Sequence, residues 1–90
     1  MENQKYVIVD LETTGHSPKE GDRMIQIAMV IMKNWEVQKT FTTFIHPGRT
    51  IPLFIQDLTN ISDQDVKDAL PFESYAEEIY EILQDAVFVA

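Results

Sequence analysis

The chain has 90 residues, 44% of them hydrophobic and 10% aromatic, with a formal net charge of −8 and no cysteine. That length holds one domain and excludes two; 3 glycines and 4 prolines are too few for a disordered or fibrous chain, and the lack of thiols excludes a disulfide framework or a thiolate zinc site. An acidic balance of this size argues against a nucleic-acid binder that works by protein charge alone, unless a carboxylate cluster holds divalent cations that invert the local field.

In chain order, the opening "MENQK" has no basic segment leading into an apolar stretch, and no run is long enough to span a bilayer. A cytoplasmic protein with no membrane partner is expected. Tyr6 to Asp10 is a continuous β-branched run, the pattern of a strand buried on both faces and central in its sheet. "GHSPKEGD", residues 15–22, is rich in turn formers and reads as a loop. Met24 to Met32 is a second strand, "KNWE" a polar turn, and Thr40 to Ile45 an alternating third strand, the three forming an antiparallel meander. "HPGR", residues 46–49, ends the meander at a Pro-Gly turn. Ile51 to Leu58 is expected as a short helix, and Ser62 with Asp65 three residues on has the spacing of a capping box opening another. Pro71 stands at a helix start, after which Phe72, Tyr75, Ala76, Ile79, Tyr80 and Leu83 fall at helical spacing as one buried stripe. "AVFVA" reads as a last strand; reached through a helical crossover, it is expected to lie parallel to its neighbour.

The chemistry is concentrated in "VIVDLETTG", residues 7–15. Asp10 and Glu12 are two apart, so on an extended backbone both side chains point to the same side of the sheet. Two carboxylates converging at the exit of a buried strand repel, and a hard divalent cation such as Mg²⁺ or Mn²⁺ is the economical way to neutralise them. Two such ions held together are the usual device for hydrolysing a phosphodiester. Read alone, a D-x-E pattern is more often a solvated strand end, so the context decides.

As a whole, "VIVDLETTG" resembles the first motif of the DnaQ-like (DEDD) family of 3′–5′ exonucleases. "RMIQIAMVIM", "TFIHPGRTIP", "LTNIS" and "DVKDALPFESYAEEIYEIL" follow in the order that family shows, and within it the likeness is greatest to the exonuclease domain at the N-terminus of Gram-positive DinG-type helicases, with the PolC polymerase exonuclease second. The resemblance implies an α/β, ribonuclease H-like fold: a mixed sheet of three antiparallel strands plus a parallel one, with packed helices and the carboxylates on the central strand. It implies that Asp10 and Glu12 are catalytic metal ligands for a pair of Mg²⁺ or Mn²⁺ ions, that Thr13 and Thr14 line the 3′-terminal nucleotide, and that Gly15 turns the chain out of the sheet. In "LTNI", Ile61 takes the place of a residue that packs on the terminal base, and Asn60 stands for a common glycine, a substitution that keeps access to left-handed backbone. The substrate implied is the 3′ end of single-stranded DNA, with a helicase or polymerase domain in the same parent chain.

The family also requires two further aspartates and a histidine base, the first aspartate in an "HNxxFD" motif directly after the strand that "AVFVA" resembles. Residues 1–90 are therefore expected to be the N-terminal part of a single exonuclease domain, inactive alone, with an open sheet edge suited to dimerisation. Asp57, Asp63, Asp65, Asp68 and Asp85 lack the required context and read as solvated helix faces, and His16 and His46 as exposed bystanders. Leu58 and Ile61 read equally well as core. Arg23, Lys33, Lys39, Arg49 and Lys67 are too scattered in sequence for a basic stripe, so metal rather than protein charge is expected to hold the substrate. The alternative is a module of the same fold that binds nucleic acid or protein without catalysis.

Overall fold

Four apolar or alternating runs become strands in the computed structural model, which describes residues 4–15, 17, 19 and 21–90. They are β1 (Lys5–Thr13), β2 (Met24–Lys33), β3 (Glu36–Phe44) and β4 (Ala86–Val89). They form one sheet in the order β3-β2-β1-β4, antiparallel between β1 and β2 and between β2 and β3, and parallel between β1 and β4. The meander, the central place of β1 and the parallel sense of the last strand are thus as the sequence indicates. β1 runs further than expected: Asp10, Leu11 and Glu12 pair with Ala28, Ile27 and Gln26, so the carboxylates lie within the strand and not at its exit. The ladder breaks only between Glu12 and Thr13.

The β2–β3 turn falls on "KNWE" as expected, and β3 begins earlier than expected, at Glu36 and not at Thr40. Lys33 pairs with Glu36, and Asn34 and Trp35 have φ of 54° and 65°, the two positive values of a type I′ hairpin. Trp35 bears that strain while 77% exposed, its ring stacked on Tyr6 with centroids 5.5 Å apart.

Alternation along β1 and β2 gives the sheet two unlike faces. Val7 and Val9 share one with their partners Ile31 and Met29, and α3 (Ala76–Leu83) covers it with Ile79 and Ile82. The expected stripe is shifted: Phe72–Ser74 is a 3-10 turn, so Phe72 falls out of α-helical phase, Tyr80 is exposed, and Ile82, absent from the expected set, is buried beside Ile79. Tyr6, Ile8, Asp10 and Glu12 lie on the opposite face, where Ile8 is 39% exposed.

A second core joins the end of β2 to α1 (Leu53–Thr59) and α2 (Asp63–Val66) through Ile25, Ile51, Ile55, Ile61 and Val66. α1 ends at Asn60 in the left-handed conformation (φ 61°, ψ 27°), and α2 opens on the expected box, Ser62 Oγ accepting from Asp65 N while Asp65 accepts from Ser62 N. Among the described residues no helix is long and apolar enough to cross a membrane.

Candidate active site

Aspartate and glutamate are poor strand formers, and at these two positions β2 alone pairs with β1, because the β4 ladder stops at Ile8. β1 nevertheless carries Asp10, exposed, and Glu12, half-buried, on the sheet face that α3 does not cover. Neither carboxylate makes a hydrogen bond or ion pair with any described residue. The central strand thus carries two acidic side chains that bond to no described residue. Among the described residues, no third His, Cys, Asp or Glu joins them in a metal-binding group.

Just past them the chain is held by a network that sequence reading did not find. Thr14 is 1% exposed; its hydroxyl donates to Asp22 Oδ1 at 3.0 Å and accepts from Arg23 N at 2.9 Å, and its own N–H donates to Arg23 O at 2.8 Å. Asp22 Oδ2 accepts from Ser17 N, and Arg49 Nη1 lies 3.7 Å from Oδ1. Asp22 thereby pins both ends of the 15–22 loop. It also explains Gly15: a Cβ there would stand 2.5 Å from Asp22 Oδ2, so the need is for space, and not for positive φ. Thr13 Oγ1 donates to Gly15 O at 2.6 Å, bracing the same turn. The only sequence signal for Asp22 was its place in a run of turn formers, which cannot show a partner eight residues away.

The remaining candidates fall as follows. Ile61 is 4% exposed inside the second core, whereas Leu58 is 76% exposed on α1. Asp57, Asp63, Asp65, Asp68 and Asp85 are all exposed, but three have local work: Asp65 closes the capping box, Asp63 Oδ1 accepts from Ile51 N at 2.8 Å, and Asp85 makes the left-handed turn into β4 (φ 58°). His46 is exposed in the turn after β3; His16 lies outside the described residues.

A family model described as "Exonuclease" (RNase T) matches residues 7–90, nearly the whole chain and both carboxylates. The chain belongs to the exonuclease family. It is 48% identical over 90 residues to the protein named 3′-5′ exonuclease DinG of Bacillus subtilis (strain 168), a match that covers all of this chain and 10% of that protein. The chain thus spans about a tenth of the length of this relative. Among solved structures it superposes on E. coli exonuclease I in complex with a 5cy-dT13 oligonucleotide with a TM-score of 0.81 at 17% identity, covering 96% of this chain and 20% of that one. On the nuclease domain of 3′hExo, a DEDDh family member bound to rAMP, the TM-score is 0.75 at 22% identity, with 88% of this chain and 43% of that one covered. At these identities the superpositions speak for the fold, the ribonuclease H-like sheet of the DEDDh exonucleases, and the sequence matches speak for the family.

Proposed function

We propose that this chain carries the first-motif carboxylates of a metal-dependent exonuclease that removes nucleotides from the 3′ end of single-stranded DNA as nucleoside monophosphates. The observation that carries this reading is the pair Asp10 and Glu12, side by side on one face of the central strand and without partners among the described residues. Oxygen donors on a backbone held in register by β2 suit a hard divalent ion, so Asp10 and Glu12 would be the ligands of Mg²⁺ or Mn²⁺. Bound as a pair, such ions supply an activated water and stabilise the leaving oxygen. Waters and substrate phosphates can complete the shell of one such ion, but holding a pair of ions and activating a water call for more side chains than these two carboxylates, so we take this stretch alone to be inactive. Thr13 and Gly15 border the terminal nucleotide in this reading. Thr14 and Ile61, expected from the resemblance to touch the nucleotide themselves, are 1% and 4% exposed, so in this reading they act by holding the turn through Asp22 and the LTNI loop from its core side. A helicase or polymerase domain in the same parent protein, and pairing of two copies through the open edge of β4, belong to the same proposal.

The test uses the full-length protein and a 5′-labelled single strand. Product ladders should shorten from the 3′ end in Mg²⁺ or Mn²⁺, stop on chelation, and fail on a strand whose 3′ terminus is blocked. Binding without any shortening in either ion would assign the protein instead to the non-catalytic class. A matched RNA strand run beside the DNA reads the sugar preference.

A further inference from the structure

The β1–β2 ladder breaks directly after one of the two carboxylates. Glu12 pairs with Gln26 and Thr13 with Met24, so Ile25 has no residue opposite it on β1. The Ile25 side chain is buried in the second core, and its carbonyl accepts from Ile45 N at 2.8 Å, towards the chain that leaves β3. A bulge of this kind re-aims a side chain and disrupts the pairing around it. Glu12 therefore sits in the last regular pair of the strand. Asp10 has a regular pair on each side of it, Val9 with Met29 and Leu11 with Ile27. β4 reaches neither carboxylate, since its ladder ends at Ile8.

What closes the break is a side chain. In an ordinary hydrogen-bonded antiparallel pair, two residues exchange two N–H to C=O bonds. Thr14 and Arg23 make one of them, from Thr14 N to Arg23 O at 2.8 Å; Arg23 N donates instead to Thr14 Oγ1, at 2.9 Å. A hydroxyl that stands in for a carbonyl must still place its own proton, and Asp22 Oδ1 accepts it at 3.0 Å. Asp22 is in turn held from two sides. Its Oδ2 accepts from Ser17 N at 3.0 Å, its N–H donates to Ser17 O at 3.1 Å, and the Arg49 guanidinium, from the turn after β3, lies 3.7 Å from Oδ1. Thr14 is buried, so removing either partner of its bond to Asp22 leaves a polar group in the interior unpaired.

We propose that Asp22 is a positioning residue for Glu12: through the Thr14 hydroxyl it closes the bulge and fixes the end of β1, so that the Glu12 carboxylate can share a metal ion with that of Asp10. The inference rests on the reading of those two residues as metal ligands. Groups that orient a ligand without touching the metal are worth roughly ten- to a hundredfold in metal affinity. Threonine is then required at position 14 for its hydroxyl, and aspartate at 22 for its acceptor oxygens, although neither touches the ion. Asp10, inside the regular ladder, does not depend on this closure.

The experiment is a calorimetric titration of the full-length protein with Mn²⁺, in which the ions lost in Asp10→Ala/Glu12→Ala are counted as those of the site. Thr14→Val, which keeps the shape and removes the hydroxyl, and Asp22→Ala should each raise the Kd for those ions about tenfold. Combined, they should again give about tenfold and not the roughly hundredfold of independent sites, because both remove the same bond. Thr14→Ser restores the hydroxyl and should return to within about twofold of wild type. Ile55→Ala loosens the second core without touching this bond; it should lower the melting temperature and leave the Kd within about twofold. In the metal-free protein, exchange of the Arg23 amide should accelerate in Thr14→Val and hold in Thr14→Ser. Wild-type Mn²⁺ affinity in Thr14→Val, or an equal loss in Ile55→Ala, overturns the positioning role, and the comparison of Thr14→Val with Thr14→Ser decides alone if Asp22→Ala does not fold. Failure of the underlying reading looks different: Asp10→Ala/Glu12→Ala would then remove no ion, and the positioning role would fall with it.

Discussion

Replacing Asp10 or Glu12 with alanine should lower nucleotide release from a single strand by about three orders of magnitude and leave thermal unfolding essentially unchanged. The two halves of that expectation have separate grounds. Removing a ligand forfeits several kcal/mol of charge stabilisation in the transition state, and at about 1.4 kcal/mol per decade this amounts to roughly 10³-fold. For the fold, neither carboxylate bonds to a described residue and Asp10 is exposed, so truncation removes no stabilising interaction. Surface changes of this kind stay within about 0.5 kcal/mol. Single-turnover release and a melting curve on the same preparation measure both halves. Wild-type turnover in either variant would falsify the assignment, and a large drop in melting temperature would show that the carboxylates serve the fold.

The largest effect on stability is expected at Ile25→Ala. Ile25 is 0% exposed and joins β2 to the helices through Ile51, Ile55, Ile61 and Val66. Truncation there leaves a cavity between elements that cannot easily close, at a cost of about 3 kcal/mol. At a urea m-value of about 1.5 kcal/mol/M, the midpoint should fall by about 2 M. Ile8→Ala, on the face that α3 leaves open, is the control and should cost under about 1 kcal/mol. Equal losses at the two sites would mean that the open face is covered in solution.

The strands were legible because β-branched runs and alternation report burial directly, and the carboxylate pair was legible because a period of two on a strand is unambiguous. Helix phase was less so. The spacing from Phe72 to Leu83 fits a single α-helix until the 3-10 turn resets it, which moves Tyr80 outward and Ile82 inward. Asp22 was hidden for a different reason: its partners Thr14, Ser17 and Arg49 lie across a loop and on another element, and no local pattern encodes such a meeting.

The parallel partner of β1 has a consequence for the order in which the molecule assembles. β2 meets β1 after a loop of about ten residues, from Thr13 to Met24, whereas the pair Lys5 and Ala86 closes a loop of about 80. Loop-closure entropy makes the second pairing costlier by about 2 kcal/mol, so β4 should dock after the meander has formed and should open before it. Native-state hydrogen exchange reads this directly: the amides of Val87 to Val89 should open at lower free energy than those of Val7 and Val9, and equal values would mean that the sheet opens as one unit. On this order, the backbone that aims Asp10 and Glu12 is set by its nearest neighbours in sequence, and the last strand is added to a surface already in register.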